Sequence, residues 1–271
     1  LAPRDPPEPD ELEPIDRWLL AELDDAIDTL TAHFEAYEFA KARNQLRTFF
    51  WNTFCDDYLE IAKTRDDSPS TQYALRTAHR TFLLLWAPIM PHVTEEIWQT
   101  VYGEGRPDAF ESIHTKAWPA PRGYEADLEA GETAMEVISA LRRYKSERQL
   151  PLNEPLESVA VHGPISGFET AIQDVTHVQD LEVLEEPPEI TTEIASIDLE
   201  YATLGPKYGA KVGEIDAAID AGEFEITDDG LAVAGETLAD DLFEVEYERT
   251  YSGSGTMTET ESAVVIVGDA A

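Results

Sequence analysis

The sequence predicts a mainly α protein, an antiparallel helical bundle over residues 14–149 followed by a small α+β domain over 150–271. Three observations carry this reading. Apolar residues recur at helical spacing through the first half, in segments long enough for several turns each. The stretch Phe49-Phe50-Trp51-Asn52-Thr53-Phe54-Cys55-Asp56-Asp57-Tyr58-Leu59-Glu60 places five aromatics and the single cysteine in one run that nothing breaks. The pattern then changes at Leu150-Pro151-Leu152-Asn153-Glu154-Pro155, beyond which short strand-like runs replace helical periods.

Residues 1–13 are rich in proline and acid and read as a linker. A first helix begins near Pro14-Ile15-Asp16, with Trp18, Leu19, Leu23, Ala26, Ile27 and Leu30 on one face. The spine helix follows from about residue 39 and ends between 63 and 68, with Pro69 as its stop. Its apolar stripe is Phe39, Ala42, Leu46, Phe50, Phe54, Tyr58 and Ile61, while Phe49 and Trp51 point elsewhere. A helix apolar on more than one side belongs at the centre of a bundle. A third helix is expected over 71–87, a fourth from His92 to Tyr102 after Pro91, and a fifth over 124–148. Ser112-Ile113-His114-Thr115-Lys116-Ala117-Trp118-Pro119 reads as an extended strap. In the second domain, strands are expected at 158–162, 181–184, 197–201, 224–227, 231–234, 243–247 and 263–267. Helical pieces are expected at 167–173 and 208–221, and Asp228-Asp229-Gly230 as a hairpin turn.

Fifty-six acids against nineteen bases give a formal charge of -37. Such an excess usually marks disorder, but the periodicity and aromatics argue for a folded chain in a salt-rich cytosol, where screening relieves self-repulsion. The charge is uneven: residues 1–150 hold 28 acids and 16 bases, residues 151–271 hold 28 acids and 3 bases. Bases kept together in so acidic a chain, at 41–80 and in Arg142-Arg143-Tyr144-Lys145-Ser146-Glu147-Arg148, point to an anionic partner; the plainer alternative is pairing with acids one turn away. One cysteine excludes an internal disulfide and fits a cytoplasmic protein, and no apolar run reaches the ~18 residues of a membrane span. A start at Leu1 suggests a piece of a longer chain.

The search for chemistry finds no active site and no metal site. His92-Val93-Thr94-Glu95-Glu96 is half of a zinc motif without its second histidine, and reads better as acids opposing a helix dipole. Gly205, Gly209 and Gly213, and Ser252-Gly253-Ser254-Gly255, do not follow the spacing of a phosphate loop. Cys55 reads as a small packed residue rather than a nucleophile.

Several of these residues carry a resemblance. Asp16-Arg17-Trp18-Leu19-Leu20 and Pro88-Ile89-Met90-Pro91-His92-Val93-Thr94-Glu95-Glu96-Ile97-Trp98 are similar to the anticodon-binding bundle of class I aminoacyl-tRNA synthetases. Phe50-Trp51-Asn52-Thr53-Phe54-Cys55-Asp56-Asp57-Tyr58-Leu59-Glu60, with Lys63 and Arg65, resembles the valine branch, the valyl-tRNA synthetase family. Ser112-Ile113-His114, Trp118-Pro119 and the 142–147 knot resemble its archaeal members, and with the acidity imply a halophilic source. The match covers about 14–155; Leu204-Gly205-Pro206-Lys207-Tyr208-Gly209 is only reminiscent of synthetase tails. The family's H-I-G-H and K-M-S-K-S motifs for ATP do not occur here, so the chain should be a C-terminal portion, inactive by itself and without a cofactor. The resemblance implies ATP with Mg for the parent enzyme, and as partners the anticodon stem-loop of valine tRNA and the enzyme's own catalytic domain, with neither membrane nor DNA.

Unpaired anticodon bases can splay out and stack on aromatic or guanidinium planes. The RNA-binding candidates are Arg43, Arg47, Trp51, Asn52, Lys63 and Arg65 around the spine, and Arg142, Arg143, Lys145 and Arg148 near the end of the fifth helix. Trp51 serves either as core or as a stacking ring. The rival reading is a helical scaffold that docks a protein without touching RNA, which the acidic second domain favours for its own half; an independent enzyme is the third option. Whether Arg43, Arg47, Asn52 and the 142–148 knot share one exposed face discriminates between the first two.

Overall fold

A computed structural model describes residues 11–103, 111–227 and 230–268. Most of the expected linker, and Asp228 and Asp229 of the expected hairpin turn, lie outside the described residues. The chain divides into two compact units, one within 1–187 and 258–271, the other within 188–257.

The first unit opens with α1 (Pro14–Glu35), whose Pro14 sits in the first turn where a missing N–H is harmless. All six apolar residues expected to face inward on it are buried. Next come α2 (Phe39–Thr48), a π-helical stretch (Phe49–Tyr58), α3 (Leu59–Ala62) and a 3-10 turn (Lys63–Arg65), which together form one continuous spine. Pro69 does not end this spine; it starts α4 (Pro69–Trp86), capped by Ser68, whose hydroxyl accepts from Thr71 N–H. After α5 (Pro91–Trp98), the expected strap is a 3-10 turn (Ile113–Thr115) followed by extended chain. The last bundle helix, α6 (Leu128–Glu147), starts later than its apolar period suggests, because Asp127 caps it by accepting from Ala130 N–H. Helix α6 approaches α1 closely at Gly131, where a Cβ would lie 2.2 Å from the Trp18 ring.

Residues 156–187 continue this unit. Strands β1 (Leu156–His162) and β2 (Val178–Val183) pair in parallel around α7 (Glu169–Thr176). The expected division at 149/150 therefore does not coincide with the compact units. Leu156, Val159, Val161, Phe168, Ile172 and Val178 share one buried cluster with Leu19, Leu46 and Leu141 of the bundle.

In the second unit, β3 (Ile190–Leu199) leads to α8 (Tyr201–Tyr208) and α9 (Val212–Asp220). Then β4 (Phe224–Thr227), β5 (Gly230–Val233) and β6 (Glu236–Leu238) form an antiparallel sheet, with Thr227 opposite Gly230 across the expected turn. Helix α8 and strand β6 were not expected; Pro206 inside α8 hides the helix from a sequence reading. Among the described residues β7 (Phe243–Tyr251) pairs only with β3, as a two-stranded ribbon. The chain returns through β8 (Thr256–Glu259) and β9 (Val264–Val267), the latter antiparallel to β1, giving the sheet order β2-β1-β9-β8. Leu204, Ile215, Leu231, Val233, Leu238 and Leu242 make the second unit's own core.

Candidate nucleic-acid interface

The spine is positioned by two sets of contacts. In its π-helical part, i→i+5 pairing brings residues five apart onto one side. Phe49, Phe50 and Phe54 consequently converge on Phe82 of α4, with ring centroids 5.6, 5.1 and 4.9 Å away. The expectation that Phe49 points away from the stripe fails for this reason. At its C-terminal end the spine is held by buried Asp16 of α1. Tyr58 donates to Asp16 Oδ1 (2.6 Å), Arg65 Nη2 to Oδ2 (3.2 Å), and Thr71 Oγ1 lies 3.3 and 3.2 Å from the two oxygens. Burial and the adjacent Asp16 carboxylate push the Tyr58 phenol well above its ordinary range. Arg65 also pairs with Glu13 and is only 9% exposed. Its guanidinium holds the bundle together and is not presented to a ligand, which corrects its place among the surface candidates.

With that anchoring, the opposite side of the spine is exposed. Arg43, Arg47, Trp51 and Asn52 all face solvent, and the Arg47 side chain makes no hydrogen bond or ion pair among the described residues. Arg43 donates to its neighbour Asn44 Oδ1 at 3.2 Å. Trp51, for which the core was the plainer reading, is 56% exposed and meets Phe50 edge-on with centroids 5.8 Å apart. Phe39 is exposed too, at 54%, against its expected place in the buried stripe. Phe39, Arg43, Arg47 and Trp51 follow one another at intervals of four and form an exposed line of two guanidinium groups flanked by aromatic rings. Tyr37 adds a third exposed ring, 6.1 Å from Phe39 and held in the left-handed region at φ 60°. The sequence reading missed Tyr37 and Phe39 as surface groups; their spacing to Arg43 and Arg47 was the available signal.

The knot at the end of α6 separates into different roles. Arg142 is half-buried and donates to the backbone carbonyl of Asp56 at 3.5 Å, so this end of α6 adjoins the spine. Arg143 is exposed, 3.9 Å from Glu147, and Arg148 stacks over the Tyr144 ring at 3.9 Å. Lys145 is buried and donates to the carbonyls of Leu152 (2.9 Å), Glu154 (2.5 Å) and Thr176 (2.6 Å). All three ammonium donors are used, and burial pulls its pKa down. Lys145 fastens the 150–155 connection to α7 and cannot also hold a phosphate. Lys63 is exposed and pairs with Glu60. It lines, with Arg142, a cleft of about 220 Å³ whose walls include Thr64, Leu152, Asn153, Val175 and His177.

Elsewhere the dipole reading of His92–Glu96 is replaced by a specific contact. Glu95 accepts from Gln99 Nε2, Ser112 Oγ and Ile113 N–H, and these bonds lower its pKa and tie the strap to α5. Burial, with Asp56 nearby, raises the half-buried Cys55 thiol, which makes it a poorer nucleophile. Among the described residues, no helix is long and apolar enough to cross a membrane.

The family described as the anticodon-binding domain of tRNA ligase matches residues 16–161. The chain is 59% identical to a valine–tRNA ligase of Haloarcula marismortui over 97% of its own length, and 33% identical to one of Thermococcus kodakarensis, also over 97%. A valine–tRNA ligase of Pyrococcus furiosus is 34% identical over 76% of the chain. The chain spans 29%, 31% and 24% of the length of these relatives. It belongs to the family of anticodon-binding domains of tRNA ligases.

Proposed function

We propose that this chain is the tRNA-binding portion of a valine–tRNA ligase, and that its spine reads the anticodon stem-loop of valine tRNA. The observation that carries this reading is the exposed line Phe39, Arg43, Arg47, Trp51 with Asn52, on a bundle whose family is defined by anticodon binding. Aromatic rings and guanidinium planes stack on splayed bases, and Asn52 offers both a donor and an acceptor to a base edge. Stacking is less sensitive to salt than phosphate pairing, which suits a chain of formal charge -37 adapted to a salt-rich cytoplasm. The ligation of valine to tRNA, with ATP and Mg, belongs in this proposal to the remainder of the enzyme; the chain alone neither activates valine nor charges tRNA. The second unit stays away from the RNA, because residues 188–257 hold three bases, Lys207, Lys211 and Arg249, against 17 acids.

The test is equilibrium binding of the purified chain to valine tRNA and to an anticodon-swapped version, across a salt series. A preference for the valine anticodon that persists at high salt is the expected result. Equal binding of both RNAs at every salt concentration would refute anticodon reading and favour the scaffold alternative. Valine-dependent pyrophosphate exchange by the chain alone would overturn the division of labour.

A further inference from the structure

The cleft between the C-terminal end of the spine, the end of α6 and the α7–β2 turn has a composition of its own. Its apolar lining is Leu152, which is 60% exposed, backed by Val175, which is 9% exposed. Asn153 and His177 are exposed on its wall, and both can hydrogen-bond in the plane of a ring. Lys63 and Arg142 supply cationic groups, with Glu60 as the acid of the same wall. Behind them, Lys145 fixes the backbone at Leu152, Glu154 and Thr176, so the wall is rigid before any ligand arrives. His177 occupies the left-handed region at φ 56°, with its N–H capping α7 on Gln173 O and its carbonyl accepting from Leu156 N–H. A non-glycine residue held there by bonds on both sides is a fixed feature of the cleft.

We infer that this cleft takes one unpaired nucleobase of the bound RNA. The base lies against Leu152 and Val175, Asn153 and His177 meet its edge, and Lys63 and Arg142 face the flanking phosphates. An apolar floor with a few converging polar groups is the general form of a small-ligand pocket and of pockets that accept extruded bases. This rests on the tRNA-binding reading above. It adds a second contact region, built from residues 152–177, to the line along the spine. His177 and Asn153 become specificity residues that helical periodicity could not indicate.

The experiment measures binding of the full chain to valine tRNA, and to transcripts carrying an abasic nucleotide at each anticodon-loop position in turn. The variants are Asn153→Ala and His177→Gly, the latter suited to the positive φ, with Arg47→Ala as control for the spine line. Both cleft residues are exposed, and circular dichroism checks that each variant folds. Each cleft variant is expected to weaken binding about tenfold, and to lose that effect against one abasic transcript, the same one for both. Cleft variants that bind like wild type while Arg47→Ala is weakened would overturn the cleft and leave the anticodon reading standing. A deficit that persists against every abasic transcript would also overturn it. A wild-type chain with no affinity for valine tRNA would sink both.

Discussion

Among the exposed aromatic and aliphatic groups of the molecule, those on the spine and those on the β3–β7 ribbon have charged neighbours of opposite sign. On the spine, Phe39 and Trp51 flank Arg43 and Arg47. On the β3–β7 ribbon, Ile194 and Tyr247 stand opposite each other, 37% and 57% exposed, among Glu244, Glu246 and Glu248. An exposed ring by itself says little about a ligand. What separates the two regions is charge. The spine keeps cations in a chain that has discarded most of them, whereas the ribbon repels any polyanion. The comparison also distinguishes construction. The spine is supported from behind by the Phe82 cluster and by Asp16, while among the described residues the ribbon strands pair only with each other.

The largest expected effect falls on that support. Asp16→Ala leaves Arg65 buried with only Glu13 as its anionic partner, and should cost ~3–5 kcal/mol, read from the midpoint of urea unfolding. Phe54→Ala should cost a similar ~3–5 kcal/mol, with Phe50→Ala lower because that ring is only half-buried. Equal losses at Phe50 and Phe54 would contradict the difference in their burial. Next comes the face itself. Arg47→Ala should weaken valine tRNA binding by ~1–3 kcal/mol with little change in salt slope. A slope lowered by about one would instead assign Arg47 to a phosphate. Tyr247→Ser on the ribbon should leave RNA binding unchanged, and any loss there would erase the contrast between the regions.

A smaller effect is expected from crowded acids on the bundle. Burial, then Glu132 and Asp25, raise the Glu22 carboxyl from 4.5 to about 7. A carboxyl raised in the folded state holds a proton that the unfolded chain releases. Its contribution to stability is therefore complete below pH 4.5 and is lost as pH rises toward 7. Glu22→Gln should stabilise the chain at pH 8 by ~1 kcal/mol, solvent screening having reduced the gain, and by nothing at pH 4. Melting temperatures of both proteins at the two pH values, in one fixed salt, provide the check.

The sequence by itself determined the helices of the bundle, the inward face of α1 and the grammar change near residue 150. Those features follow from periods of 3.6 and 2, which are local properties of the chain. It also carried the motifs by which the family could be recognised at residues 16–161. It could not separate Lys63 from Lys145, or Arg47 from Arg65, because each pair looks alike in its local setting. Lys145 is buried by carbonyls 7, 9 and 31 residues away, and Arg65 by a carboxylate 49 residues away. Trp51 and Phe39 were decided the same way, since a half-apolar helix does not say how much of its circumference neighbours will cover. Only the packed structure sets which cations are used up internally and which remain for a ligand. Burial depends on contacts between residues far apart in the chain, and no spacing rule encodes them.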